Sequence, residues 1–265
     1  MKNMMQDPYV KTAVAEMRSF IADNRREVII FFTVLFVLIA NKYLGQVVGL
    51  LGLLQLFGAE NIRAHIIDTF ELSQDARFNS LVYWGGILCF NYMVIPSLVI
   101  VFVLKEKLSE FGLQFKLDKG FFTYYLYFFL VALAVVYLAS KTTAFQAKYP
   151  FLKIHSAAGL DAKFFIWECV YVSMFFCLEF FFRGFMVKGL KNKFGLWSIF
   201  IMTVPYCMIH FGKPLAETIG AIFAGLALGY ISYHGRGILA GFFMHVTVAL
   251  SMDGMALWQT GVLSR

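Results

Sequence analysis

The chain has 265 residues, of which 60% are hydrophobic and 15% charged, with 31 phenylalanines and a formal net charge of +7. Soluble domains are about 45–50% apolar and about 25% charged, so this composition, with a mean hydropathy of +0.72, excludes an ordinary water-surrounded fold. The Lys and Arg residues fall mostly between apolar runs, where lipid headgroups recruit them, so the lipid bilayer is the expected partner and nucleic acid is not.

The predicted fold is all-α, a polytopic transmembrane helical bundle of about seven spans. Residues 1–27 interleave Lys2, Lys11, Arg18, Arg25 and Arg26 with Asp7, Glu16, Asp23 and Glu27 ahead of any apolar run, which is not the pattern of a cleaved signal peptide. Val10, Ala13, Val14, Met17, Phe20 and Ile21 recur at helical spacing. They predict an amphipathic helix on the cytoplasmic interface, with a solvated leader helix as the alternative.

Residues 28–139 read as the N-terminal transmembrane helices. A span needs ~20 mainly apolar residues, and the first covers 28–44. The run 47–57 is too short to cross and predicts a re-entrant or interfacial piece. A polar connection with Arg63, His65, Asp68, Glu71, Asp75 and Arg77 follows, then a span over 78–104 bent at Pro96. After Lys105-Glu106-Lys107 and a loop carrying Lys116, Asp118 and Lys119, the third span covers 121–139.

Residues 140–265 form the core. A connection with a Tyr149-Pro150-Phe151 turn leads to predicted spans over 164–190, 196–210, 217–233 and 238–252. Ala221, Gly225 and Gly229 make a small-residue stripe for close helix packing, and Gly241 is expected to act similarly. Cys89, Cys169, Cys177 and Cys207 lack CxxC spacing and are expected to be reduced, buried small hydrophobes. With the N-terminus inside, the inner connections collect Arg25, Arg26, Lys105, Lys107, Lys116, Lys119, Lys188, Lys191, Lys193 and Arg236. The outer ones hold Lys42, Arg63, Arg77, Lys141, Lys148, Lys153, Lys163 and Lys213. That excess favours a cytoplasmic N-terminus, and the short loops are those expected in a bacterial inner membrane.

A charge at the bilayer centre costs at least ~2.5–3.5 kcal/mol, so each one needs a reason. Glu168, Glu179 and Arg183 lie in the fourth span, His210 ends the fifth, Glu217 opens the sixth, and His245 and Asp253 belong to the seventh. Glu179 and Arg183 are four apart and share a helix face, as an ion pair would require. At ~1.5 Å per residue, Glu179, His210 and His245 stand about 18, 24 and 14 Å from the inner turns, depths that overlap within helix tilt. The pattern predicts a carboxylate, a guanidinium and two imidazoles at one level, against the alternative of a purely structural ion pair.

Glu179-Phe180-Phe181-Phe182-Arg183-Gly184, then Tyr206 to His210, then His245 resemble the EExxxR, FxxxH and HxxxN motifs of the CAAX protease and bacteriocin-processing family, also called Abi proteins. The likeness runs over residues 164–253, and the 105–114 stretch resembles the loop preceding that domain. It implies an intramembrane endopeptidase acting on a peptide or membrane-protein substrate. In that family the first Glu and the second-motif His activate water, the second Glu pairs with Arg, and the last motif supports the oxyanion.

Leu178 stands where the first Glu would be, Tyr206 for the aromatic and Ala249 for the Asn. The resemblance therefore makes Glu179 the Arg-paired glutamate. The expected catalytic set is Glu179, Arg183, His210 and His245, with Glu179 itself, Glu217 or Asp253 as the carboxylate, His210 orienting or sharing the water, His245 donating to the oxyanion, and Asp253 orienting His245 or replacing the lost Asn. No cofactor is expected. Two His and a Glu can hold zinc, but HExxH is absent. A non-catalytic relative that binds a membrane partner, and a transporter or proton relay, are the competing functions.

Overall fold

The computed structural model describes residues 7–117 and 120–263. Lys2, Asp118 and Lys119 lie outside them. The described residues form a bundle of α-helices, as the composition predicts, and the chain is an integral membrane protein.

Helix α1, Pro8–Asp23, starts where Pro8 needs no backbone donor and the Asp7 carboxylate accepts from Tyr9 N–H at 2.8 Å. None of its residues is buried, and Val14, Met17 and Ile21 remain exposed along one side. Helix α2, Arg25–Leu44, is apolar all round. Its buried residues Ile30, Thr33, Val34, Val37 and Ala40 mark the bundle face, while Phe32, Leu35, Phe36 and Ile39 stay exposed, the lipid-facing pattern of a membrane helix. The short α3 (Val47–Leu56) and α4 (Glu60–Ile67) follow with nothing buried.

Helix α5, Ala76–Leu104, has wide π turns at Phe90–Val94 and Val99–Leu104, on either side of Pro96. Proline lacks the N–H that the ordinary ladder needs, and the wide turns take up the mismatch. The helix stops at Lys105, whose φ of 59° is left-handed. Helix α6, Phe121–Ser140, buries only Phe121, Val136 and Ser140, and packs through Phe121 on Phe243 at 6.3 Å. A short α7, Thr143–Lys148, begins the connection to the core.

Helix α8, Ala162–Phe194, is the axis of the core. The Asp161 side chain caps it by accepting from Phe164 N–H at 3.1 Å. Its middle, with Phe180, Phe181, Phe182 and Phe185 all fully buried, is π-helical from Phe180 to Lys188. Around it stand α9 (Trp197–Met208), α10 (Leu215–His234) and α11 (Leu239–Gln259). The small-residue stripe does what it predicts. Gly225 faces Thr203 and Tyr206, and Gly229 faces Ile199 and Met202, so α10 lies directly against α9.

The expected inner connections gather at one end. Arg26 pairs with Glu106 at 2.7 Å and donates to the Gly189 carbonyl. Lys188 and Lys191 donate to the carbonyls of Gly235 and Tyr233 at 2.7 and 2.8 Å. Ile238 N–H donates to the Gly112 carbonyl, which ties the 105–114 segment beneath α11.

Among the described residues six helices are long and apolar enough to cross a membrane, in keeping with a bundle of about seven spans. The remaining predicted span is α9, 12 residues or ~18 Å long. Its apolar run continues, but the helix gives way to tight turns, with His210 N–H bonded to the Cys207 carbonyl and Gly212 at φ 86°. Cys169 is exposed on the apolar surface of α8 rather than buried, while Cys177 is buried and Cys89 and Cys207 are half-buried.

Candidate active site

The site is organised around one ring. Tyr206, near the end of α9, is 1% exposed. The Arg183 guanidinium lies over its face at 4.1 Å from the centroid. His210, one turn on, stands edge-on to it at 4.9 Å, and His245 of α11 stands at 6.2 Å. The aromatic thus holds a cation on its electron-rich face and separates two imidazoles.

Glu179 ends the α-helical half of α8, and both it and Arg183 are fully buried. Oε2 lies 3.4 Å from Arg183 Nε, and Oε1 accepts from His245 Nδ1–H at 3.0 Å. The first contact is an ion pair rather than a formed hydrogen bond, and none of the three guanidinium nitrogens has an acceptor among the described residues. The depth comparison predicted this convergence. α8, α9 and α11 deliver Glu179, Arg183, His210 and His245 to one buried level.

The tautomers follow from the partners. His210 Nδ1 lies 2.7 Å from the Tyr206 carbonyl, which can only accept, so Nδ1 carries the proton and Nε2 is a free acceptor. A carboxylate likewise only accepts, so His245 Nδ1 donates to Glu179 and its Nε2 is also free. His245 is 14% exposed through its side chain. In their neutral forms the two rings therefore present Nε2 as acceptors, one of them backed by a carboxylate whose charge an arginine offsets.

The other two candidates stand apart. Glu217, at the start of α10, is held by Lys213 and by the Tyr149 hydroxyl, each at 2.6 Å. Its link to the centre is indirect, through the next residue, where the Thr218 hydroxyl donates to the His210 carbonyl at 3.0 Å. Asp253 does not orient His245, because Glu179 already occupies Nδ1. Two turns further along α11, it lies near Glu168 of α8. The oxygens of both carboxyls are buried and have no hydrogen-bond partner among the described residues. Two carboxylates are both acceptors, so that contact closes only around a shared proton. Leu178 and Ala249, in place of the family's Glu and Asn, are 9% and 3% exposed and belong to the apolar core.

Glu179 is poorly placed for a metal, since its oxygens serve a cation and an imidazole N–H. No group of three or more His, Cys, Asp or Glu among the described residues is arranged to hold an ion. Three participants escaped sequence reasoning. Tyr206 showed only as the aromatic of a degenerate motif, Tyr149 lies 68 residues from its partner Glu217, and Gly241 abuts the Glu179 carboxylate rather than a helix backbone.

Fold and site together define a membrane-embedded helical bundle with a buried Glu–Arg–His centre. Residues 161–251 match the family model for the type II CAAX prenyl endopeptidase Rce1-like proteins, so over that segment the chain is similar to the CAAX proteases. No curated protein and no solved structure matches the chain.

Proposed function

We propose that this protein is an intramembrane endopeptidase that hydrolyses a peptide bond in a peptide or membrane-protein substrate, without a metal. The observation that carries the reading is the Arg183–Glu179–His245 chain, with its 3.4 and 3.0 Å contacts ending in a free imidazole nitrogen. It is a nucleophile-activating arrangement, a base oriented by a third group, applied here to water. His245 Nε2 takes a proton from the attacking water, and the Glu179 carboxylate stabilises the imidazolium that forms. His210 Nε2 accepts the water's other hydrogen and fixes its lone pair. The imidazolium then returns its proton to the leaving amine. Glu179, held by Arg183, orients and stabilises rather than acting as the base.

A second reading is a non-catalytic relative that binds a membrane partner. It is favoured by Leu178 and Ala249, hydrocarbon packed where the family carries Glu and Asn. A bacterial inner membrane and a cytoplasmic N-terminus belong to the proposal in either case.

The purified protein in liposomes, given a quenched-fluorescent prenylated CAAX peptide and a set of unprenylated transmembrane peptides, separates the readings. The expected result is cleavage of at least one peptide by wild type and a loss of about 100-fold or more in His245→Ala and Glu179→Gln, the range of general base contributions. No cleavage of any peptide, or cleavage unchanged in Glu179→Gln, His210→Ala and His245→Ala, overturns the proposal.

A further inference from the structure

Gly241 sits in the first turn of α11, four residues before His245 and on the same face of the helix. A Cβ built there overlaps Glu179 Oε2 and lies 3.2 Å from Cδ and 3.9 Å from Cγ. The stripe glycines of α10 differ, for a Cβ at Gly225 or Gly229 meets the side chains of Thr203, Tyr206, Ile199 and Met202. Among the described glycines, Gly241 is the one whose missing side chain is replaced by a carboxylate.

We propose that Gly241 is a positioning residue for the buried centre, an assignment resting on the Glu179–His245 pair proposed above as the working unit. Glu179 reaches across from α8 and lays its carboxylate against the bare backbone of α11. From there Oε1 meets His245 Nδ1 at 3.0 Å while Oε2 faces Arg183. Ordinary contact between heavy atoms is ~3.5–4.0 Å, so a methyl at position 241 drives the carboxylate back by about 1 Å. A 3.0 Å hydrogen bond does not survive that shift. Alanine is otherwise the better helix former, so at a position without such a neighbour the same exchange would favour the helix. Gly241 thus sets the spacing between the two helices that carry the pair, and acts on the chemistry only through Glu179.

Two measurements on the full chain test this, and neither needs a substrate. In histidine-labelled protein in nanodiscs, with the His245 signals assigned by their loss in His245→Gln, the ring nitrogens report the Nδ1–H tautomer hydrogen-bonded to a carboxylate. Gly241→Ala is expected to abolish that signature and Gly220→Ala, where a Cβ meets nothing within 4 Å, to leave it. The second measurement is unfolding stability in a cycle with Glu179→Ala, which removes the obstructing carboxylate and keeps the test open even if the single variant folds poorly. The destabilisation by Gly241→Ala is expected to vanish or reverse in the Glu179→Ala background. An unchanged His245 tautomer in Gly241→Ala, or an equal penalty in both backgrounds, overturns the assignment and reduces Gly241 to a packing residue. If peptide cleavage is found, kcat in Gly241→Ala falls at least tenfold with KM little changed. If none is found, the endopeptidase reading fails while the histidine signature still decides the role of Gly241.

Discussion

Arg183→Met removes the cation from a fully buried ion pair and leaves Glu179 charged in hydrocarbon. At the observed 3.4 Å separation and an effective dielectric constant of about 20, the attraction is about 5 kcal/mol. That agrees with the ~3–5 kcal/mol measured when one partner of a buried pair is deleted. His245 Nδ1–H remains on the carboxylate, but as a neutral donor it offsets only part of the loss. Glu179→Gln strands the arginine in the same way, with the Tyr206 face as its remaining partner. The double variant buries no charge at all, and paired replacement of this kind is neutral or stabilising. Arg183→Met is therefore expected to cost about 3–5 kcal/mol, and Glu179→Gln/Arg183→Met to recover most of it, with a coupling energy above ~2 kcal/mol. SDS-driven unfolding in mixed micelles, followed by tryptophan fluorescence, reads this directly. If the double variant is as unstable as the sum of the two singles, the pair is not the electrostatic unit described here.

Tyr206→Phe keeps the ring under Arg183 and should leave stability within ~1 kcal/mol of wild type, whereas Tyr206→Leu loses the cation–π contact and should cost about 2 kcal/mol or more in the same unfolding assay. Tyr149→Phe deletes the donor to Glu217 and should cost about 1.5–3 kcal/mol, as for a hydrogen bond to a charged group. Burial, reinforced by Tyr171 and Glu217, pushes the Tyr149 hydroxyl well above its ordinary value of 10.0. The folded state thus holds this proton more tightly than the unfolded state. The resulting stability is fully present below pH ~10 and declines as the pH rises further, so Tyr149→Phe should unfold less steeply on the alkaline side. Glu168→Gln supplies Asp253 with an amide donor and is expected to hold or raise the melting temperature, while Glu168→Leu leaves Asp253 without one and lowers it.

The bundle was legible because hydrocarbon length and Lys/Arg placement follow from the bilayer itself. The Glu179–Arg183 pair was legible from its four-residue spacing, and the approach of the two histidines from counting helical rise. The end of α9 was not, because the apolar run passes Met208 without a break and only the turn geometry at Cys207 to Gly212 stops the helix. Glu168 and Asp253 could not be matched from sequence either. Their contact depends on the tilt between α8 and α11, which a rise of ~1.5 Å per residue does not determine. Gly241 read as helix packing because a missing side chain shows in a sequence but the group that fills its space does not.

The wide winding of α8 from Phe180 to Lys188 has a consequence for how this chain tolerates change. Such a stretch acts as a splice, joining an N-terminal segment that carries Glu168 to a C-terminal one anchored by Lys188 and Leu190 at one end of the bundle. A wide turn holds one residue more than an α turn, so loss of a single residue after Arg183 within these nine residues is taken up by tightening to α winding, with the flanking segments near their present phase. The same loss in the regular winding before Phe180 has no such slack and rotates everything ahead of it by ~100° against Glu179. One-residue deletions should therefore be better tolerated in the wide stretch than in the α-helical part of α8 that precedes it.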